Sequence, residues 1–136
     1  MVEDMLRRAL LAKFRPLNND ETDRLFGPDQ PLGSFSAKIK LVYALSMCDR
    51  RDAQNLDSLR AIRNAFAHDK KPLTFKTAEV REVCRHLHMP PHLQKRRNVS
   101  RPRFFWVVSD LTEKFKAIIN PDPPTRLPSE NKHQPQ

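Results

Sequence analysis

The sequence predicts an all-α protein, a small compact bundle of about five helices with a disordered C-terminal tail. Apolar residues recur three and four positions apart through most of the first 119 residues, which is the period of helices with one buried face. The segment 120–136 is polar and rich in proline, so it has little to bury and is predicted to be disordered. A chain of 136 residues has room for one domain, which we assign to residues 1–119.

The first helix is amphipathic and ends before Pro16, because proline removes a helical hydrogen-bond donor. The sequence Asn18-Asn19-Asp20 then supplies an N-cap for a short helical segment that contains Leu25 and Phe26. A loop follows over residues 26–33 and contains both glycines of the protein. We expect these glycines to serve the backbone geometry of that loop.

Residues 31–68 form the organising centre, predicted to be two consecutive helices. Ser34 or Ser36 caps the first, whose apolar residues cover more than half of its circumference and predict packing on most sides. Asp49 and Asp52 have the spacing of a capping box that starts the second helix, with aspartate in place of the usual glutamate. The second helix is predicted to bury one face, formed by Leu56, Leu59, Ile62 and Phe66.

Two further helices complete the predicted bundle. Thr77 is the expected N-cap of a helix with a narrow core stripe that ends before Pro90-Pro91. The final helix begins at Ser100 and is too apolar for an element that buries a single face. Phe105 and Trp106 extend its apolar surface, which predicts a contact with a second copy of the chain.

Composition narrows the function classes. The net charge of +9 favours attraction to polyanions but does not determine the fold. No apolar run approaches the roughly 20 residues of a membrane span, and the N-terminus lacks the residue order of a signal peptide. Cys48 and Cys84 sit among apolar neighbours, which predicts buried free thiols in a reducing compartment. We therefore expect a cytoplasmic protein.

The sequence predicts neither a metal nor a cofactor. Among His86, His88 and His92, only the last two have a one-turn spacing, prolines interrupt it, and no carboxylate or cysteine completes a ligand set. There is no glycine-rich phosphate loop and no nucleophile elbow. A short turn at Met47-Cys48 suggests a helix-turn-helix, but core residues occupy the following helix.

Several polar residues of the two central helices are candidates for contacting a partner or a pocket. Lys38 projects into the apolar arc of the first of the two central helices. Either its stem lies on the core and its ammonium reaches solvent past the helix end, or the ammonium points into a pocket. Arg60, Asn64 and His68 follow at spacing four and form a polar stripe beside the buried face. Arg63 lies on the border between the stripe and that face.

The densest positive run covers residues 94–103 and contains no acidic residue. Such a run is usually a solvated loop, and here the alternative is a strip that binds phosphates. No aromatic residue interleaves the run to stack on bases. The candidate phosphate contacts are Lys95, Arg96, Arg97, Arg101 and Arg103.

Two blocks of the central stretch carry a family resemblance. The first is Phe26-Gly27-Pro28 with residues 31–45, and the second is Leu56 with Ile62-Arg63-Asn64-Ala65-Phe66-Ala67-His68. These blocks resemble the signature of the mannitol operon repressor family over residues 20–75, and a weaker pattern continues to Ile119. The resemblance implies an all-α, cytoplasmic, bacterial regulator of transcription that lacks a recognised DNA-binding motif and acts through protein contacts. It also implies more helical chain before the position of Met1.

The end of the second block allows another resemblance. Arg63 and His68, with four residues between them and Asn64 directly after the arginine, resemble the Arg-x(4–6)-His motif of HEPN (higher eukaryote and prokaryote nucleotide-binding) domains. Many of these are metal-independent ribonucleases that build the site from two protomers. His68 would then act as general acid or base, Arg63 would stabilise charge on a phosphate, and Asn64 would orient either.

A structural role for the same three residues stands against the catalytic one. His68 near a helix C-terminus interacts favourably with the helix dipole. Asn64 would bond a loop carbonyl, and Arg63 would pair with a carboxylate from another helix.

Three functions are therefore open. The favoured one is a small helical regulator, not an enzyme, that binds a protein partner and forms a dimer. The second is a ribonuclease or nucleotide-binding domain that uses Arg63, Asn64 and His68. The third is a non-catalytic nucleic-acid binder held by the basic run, which predicts strongly salt-dependent binding.

Overall fold

The computed structural model describes residues 2–68, 72–91 and 100–121. These residues form six α-helices and no strand: α1 (Val2–Lys13), α2 (Asn19–Phe26), α3 (Phe35–Ala44), α4 (Arg50–His68), α5 (Ala78–Arg85) and α6 (Ser100–Ile119). The predicted all-α class is confirmed, with six helices where about five were expected. The expected disordered tail lies outside the described residues from position 122 onward. None of the described helices is both long enough and apolar enough to span a membrane.

Five of the helices form a closed ring around one core. Helix α1 packs against α3 and α6, α4 packs against α3 and α5, and α5 packs against α6. Helix α2 lies outside this ring and contributes no fully buried residue. The largest fully buried side chains lie on the five ring helices, except Leu87, which lies just after the end of α5. They are Phe115, Leu6, Leu10, Leu56, Leu87, Leu111, Val42, Val80, Val107 and Cys84.

The first two predicted caps form as expected. The Asn18 side chain accepts a hydrogen bond from the Glu21 N–H at 2.8 Å, and the Glu21 side chain accepts one from the Asn18 N–H at 3.1 Å. Ser34, and not Ser36, caps α3, because its hydroxyl accepts from the Ala37 N–H at 3.0 Å. Both helices therefore begin where short-range hydrogen bonding satisfies their first N–H groups.

The predicted capping box before α4 also forms. Asp49 accepts from the Asp52 N–H at 2.8 Å, and Asp52 accepts from the Asp49 N–H at 3.3 Å. The side-chain cap predicted at Thr77 does not form. Thr77 precedes α5, but its hydroxyl accepts no bond from that helix and accepts instead from the Thr74 N–H at 2.9 Å. Its side chain therefore holds the preceding turn.

The two glycines serve close backbone approaches, in agreement with the prediction for their loop. A Cβ atom at Gly27 would clash with the carbonyl oxygen of Asp23, and one at Gly33 would clash with the carbonyl oxygen of Gly27. Neither glycine has a positive φ. Space, and not left-handed geometry, therefore requires glycine at both positions.

The predicted buried face of α4 is correct except at its end. Leu56, Leu59 and Ile62 are buried, whereas Phe66 is 42% exposed. The ring of Phe66 contacts that of Phe75, with centroids 6.0 Å apart. Helical periodicity places Phe66 on the core side, but it carries no information about how far the neighbouring helices extend along α4. The prediction that Phe66 is buried was therefore wrong.

Two polar side chains attach the segment after α5 to its neighbours. Asn55 on α4 is buried and bonds both backbone groups of His88, as donor at 2.9 Å and as acceptor at 2.7 Å. Arg103 on α6 donates to the carbonyl oxygen of Leu87 through Nε at 2.9 Å and through Nη2. These contacts satisfy backbone groups at the end of α5 that no helix pairs.

Candidate functional site

A cavity of about 790 Å³ lies between α1, α3, α4 and α6. This volume is within the range of small-molecule sites, roughly 300–1,000 Å³. Much of its wall is apolar, formed by Val2, Met5, Phe35, Leu59, Phe104 and Val108. We refer to it as the α1–α6 cavity.

Lys38 is buried at the wall of this cavity, with 5% of its surface exposed. Its ammonium is 3.1 Å from Glu3 Oε1 and donates to the carbonyl oxygen of Gly33 at 3.3 Å. The ammonium therefore does not extend into solvent. The explanation in which it reaches solvent past the end of the helix is wrong. Its positive charge is compensated inside the protein by a carboxylate of α1, as a buried charge requires.

Arg63 is the second cation of the cavity. Its Nη1 atom pairs with Oε2 of Glu3, so one carboxylate bridges Arg63 and Lys38. The guanidinium carbon lies 5.7 Å from the centroid of the Phe35 ring, within the range of a cation–π contact. The structural alternative for Arg63, a pair with a carboxylate of another helix, is thereby confirmed.

The other polar residues of α4 lie elsewhere. Arg60 approaches Asp57 on its own helix, with Nε and Oδ1 3.7 Å apart, and it does not line the α1–α6 cavity. Asn64 and His68 are exposed. Arg63 faces Glu3. His68 is five positions further along α4, which places it about 140° around the helix axis from Arg63. The HEPN-like motif is therefore not confirmed, since its arginine and histidine lie on different sides of α4.

The basic run lies mostly outside the described residues. Lys95, Arg96 and Arg97 fall in the gap between positions 91 and 100, and the side chain of Arg101 is likewise outside the described part. Arg103 is described, and its guanidinium bonds the Leu87 carbonyl. A phosphate-binding role for these five residues remains a prediction.

Two of the three histidines considered as metal ligands, His86 and His88, are described. His86 pairs with Glu82 on its own helix, with Nε2 and Oε1 3.1 Å apart. His88 is exposed, and His92 lies outside the described residues. No group of three or more His, Cys, Asp or Glu side chains in the described ranges has the geometry to hold a metal ion.

Sequence reasoning missed a second polar cluster, around the start of α4. The Asp52 side chain is buried and lies 2.8 Å from Lys114 Nζ, which also approaches Asp110 at 3.2 Å. Burial opposes the charge on Lys114, but its hydrogen bonds to the two carboxylates prevail and raise its pKa. Beside this cluster, burial and the negative charges of Asp52 and Asp49 raise the pKa of the Cys48 thiol to about 11.

Four aromatic rings form a continuous row from the end of α4 to the start of α6. The centroids of Phe66 and Phe75 are 6.0 Å apart, those of Phe75 and Phe104 are 5.2 Å apart, and those of Phe104 and Phe105 are 5.9 Å apart. The two outer rings, Phe66 and Phe105, are 42% and 50% exposed. We call these four residues the aromatic row. Phe104 also lines the α1–α6 cavity.

The described residues thus form a small all-helical ring with a largely apolar cavity and exposed aromatic rings. The family model described as "Mannitol repressor" matches residues 20–103. This chain belongs to that family, as the resemblance of its two central blocks predicted.

Individual relatives agree with the family assignment. The chain is 31% identical over 71 residues to the mannitol operon repressor of Escherichia coli (strain K12), a match that covers 49% of this chain and 36% of the relative. The same values hold for the mannitol operon repressor of Escherichia coli O6:H1 (strain CFT073). The matched part of this chain thus corresponds to about a third of the length of these relatives.

A solved structure shares the fold. The X-ray structure of the MtlR–HPr complex from Escherichia coli aligns with a TM-score of 0.59 and 24% sequence identity, covering 88% of this chain and 84% of that one. At this level of identity the likeness concerns the arrangement of the helices.

Proposed function

We propose that this protein is a transcriptional regulator that acts by binding a protein partner, and that the partner is an HPr protein. Membership of the mannitol repressor family supports the regulatory role. The partner is proposed because a solved structure that shares this fold is that of an MtlR–HPr complex. Because a fold does not determine a function, the proposal needs a surface that suits a protein partner.

The aromatic row is the observation that supports this proposal most directly. Aromatic side chains are enriched in the cores of protein interfaces and among the residues that dominate binding energy. Phe75 and Phe104 are partly buried and contact the exposed outer rings of Phe66 and Phe105. Their support reduces the conformational entropy that the outer rings would lose on binding.

Calorimetric titration of the purified chain with HPr from the same organism tests the proposal. We expect Phe66→Ala and Phe105→Ala each to weaken binding about tenfold or more, as for interface residues that dominate binding. Leu45→Ala is the matched control, because Leu45 is 46% exposed but lies at the end of α3, near the opposite end of α4. Absence of binding by the wild type would contradict the HPr partner. Equal losses in all three variants would contradict the aromatic row.

We further propose that the protein is cytoplasmic and forms homodimers. The free thiols of Cys48 and Cys84 suit a reducing compartment, and the exposed Phe105 suits a contact between copies. Sedimentation of the wild type and of Phe105→Ala across a concentration series tests the dimer. A wild type that stays monomeric at every concentration would contradict it.

A nucleic-acid contact through the basic run is a second proposal, supported by the net charge of +9. It requires retention on DNA or RNA that weakens steeply with salt. Replacing Lys95, Arg96 and Arg97 by glutamine should reduce the salt dependence without changing sequence preference. Retention that is absent at physiological salt would contradict it. Among the described residues, no contact of His68 favours the ribonuclease alternative.

A further inference from the structure

The α1–α6 cavity carries an excess of positive charge. Its charged lining residues are Arg7, Lys38 and Arg63 against Glu3 and Asp4. Glu3 serves Lys38 and Arg63 together, with one oxygen for each, and Asp4 is exposed to solvent. One positive charge therefore remains when the lining charges are summed.

Two guanidinium groups of this cavity have donors without protein acceptors. Of the Arg63 nitrogens, Nη1 alone has an acceptor among the described residues. The Nε atom of Arg7 is buried and likewise has none within the described ranges. A buried donor without an acceptor is unfavourable, and this applies to Arg7 Nε. The Arg63 side chain is 51% exposed, so its remaining donors are open to solvent and to an entering anion.

The rest of the cavity wall is mainly apolar and would not be covered by an inorganic ion. Phe35, Leu59 and Val108 lie on three different helices and all face the cavity. A small ion bound at the cations would leave these groups and most of the 790 Å³ filled with water. An anion with an apolar body would cover them and gain the free energy of burying apolar surface.

We infer that the α1–α6 cavity binds a small organic carboxylate, whose apolar body packs against Phe35, Leu59 and Val108 and whose carboxylate pairs with Arg63 and Lys38. One ligand carboxylate would take the place of the Glu3 carboxylate, which bridges these two cations while the cavity is free. The planar fork of an arginine pairs with a carboxylate through two parallel hydrogen bonds. The exposed half of Arg63, whose side chain is 51% exposed, marks the side from which the ligand enters.

Glu3 acts in this arrangement as an internal competitor of the ligand. It occupies the two cations while the cavity is free, and at 24% side-chain exposure it is close enough to solvent to rotate outward when another carboxylate enters. A ligand must therefore displace Glu3, which lowers its apparent affinity. Removing the Glu3 charge should strengthen the binding of an anion and leave the binding of a neutral analogue unchanged.

The test uses the purified chain and three carboxylates of increasing body size, 4-methylpentanoate, 3-phenylpropionate and 2-naphthoate, each beside its neutral amide. Binding is followed by calorimetry and by changes in NMR chemical shifts. We expect at least one carboxylate to bind with a Kd at least tenfold lower than that of its amide. Failure of all three carboxylates to bind below 1 mM would overturn the inference.

Variants then separate the carboxylate site from general adsorption. Glu3→Gln should strengthen carboxylate binding at least fivefold and leave amide binding unchanged, whereas Arg63→Gln should weaken carboxylate binding at least tenfold. Arg60→Gln is the matched control, because Arg60 lies on the same helix outside the cavity, and it should change the Kd less than twofold. Equal effects of the two arginine variants, or weaker carboxylate binding by Glu3→Gln, would overturn the inference.

Val108→Phe provides a second route that leaves every charge in place. The larger side chain fills the apolar part of the cavity and should abolish binding of both the carboxylate and the amide. Unchanged binding by a folded Val108→Phe variant would overturn the inference. None of these measurements uses HPr or DNA, so their outcome is independent of the proposed function.

Discussion

Asn55 and His88 are joined by two reciprocal hydrogen bonds between a side-chain amide and a backbone amide. Asn55 Nδ2 donates to the carbonyl oxygen of His88 at 2.9 Å, and the His88 N–H donates to Asn55 Oδ1 at 2.7 Å. Asn55 is 5% exposed, so water does not readily replace either bond. This pair attaches the segment after α5 to the second turn of α4.

Truncation of Asn55 should therefore destabilise the fold. Asn55→Ala leaves two backbone groups of His88 without their partners, and we expect a loss of about 2–4 kcal/mol in the free energy of unfolding. Urea denaturation measures this loss. Gln54→Ala, at the adjacent exposed position, is the control and should change stability by less than about 0.5 kcal/mol. Similar losses in both variants would contradict the role of Asn55.

Lys114 should matter more than a neighbouring surface lysine. Lys114→Met leaves the buried carboxylate of Asp52 without its cation, and we expect a loss of about 1–3 kcal/mol in unfolding free energy. Lys116→Met makes the same change on the same helix but breaks an exposed pair with Glu113, worth at most about 1 kcal/mol. Urea denaturation measures both losses. A larger loss in Lys116→Met than in Lys114→Met would contradict the role of the pair between Asp52 and Lys114.

The Cys48 thiol should react slowly at neutral pH. Its pKa is raised to about 11 from an ordinary 9.0, first by burial and then by Asp52 and Asp49, so the reactive thiolate is scarce. In a Cys84→Ala variant, the rate of iodoacetamide alkylation should still rise above pH 9 and level off near 11. The urea-unfolded chain is the control and should level off near 9. Equal profiles for folded and unfolded chains would contradict the raised pKa.

The cap of α4 should make stability sensitive to acid. The Asp52 N–H bond to the Asp49 carboxylate lowers the pKa of Asp49 below 3.8. The folded state therefore holds this proton less tightly than the unfolded chain, so the stabilisation is complete above pH 3.8 and is lost as the pH falls through the folded pKa.

Two variants test the acid sensitivity. Asp49→Asn retains an N-cap acceptor but does not titrate, so its unfolding free energy should fall less than that of the wild type between pH 5 and pH 2. Asp49→Ala should cost about 1 kcal/mol at pH 7. Identical pH profiles for the wild type and Asp49→Asn would contradict the lowered pKa.

Local signals in the sequence were sufficient for the starts of the helices. The hydrogen bonds between Asp49 and Asp52, and those at Asn18 and Ser34, lie within four residues of chain, so the sequence contains all of their partners. Thr77 was an exception, because a hydroxyl can bond the turn before the helix as well as the helix itself.

The candidate site was only partly predictable, because its partners are distant in sequence. Arg63 and Lys38 were identified as candidates, but Glu3, which joins them, lies 60 residues from Arg63 and 35 from Lys38. No periodicity specifies such a contact. The exposure of Phe66 and the aromatic row likewise depend on where α4 ends and where α6 begins relative to the segment before α5. The sequence carried the family resemblance because its signature lies in one continuous stretch.

The ring of five helices has a consequence for synthesis of the chain. Helix α1 packs against α6 as well as α3, so its packing is complete only when α6 is present. The contact between α1 and α6 joins residues near opposite ends of the described chain. Such distant contacts slow folding, since a long loop must close before they form. During synthesis, the apolar face of α1 that α6 covers in the folded protein therefore stays in contact with solvent until α6 has been made.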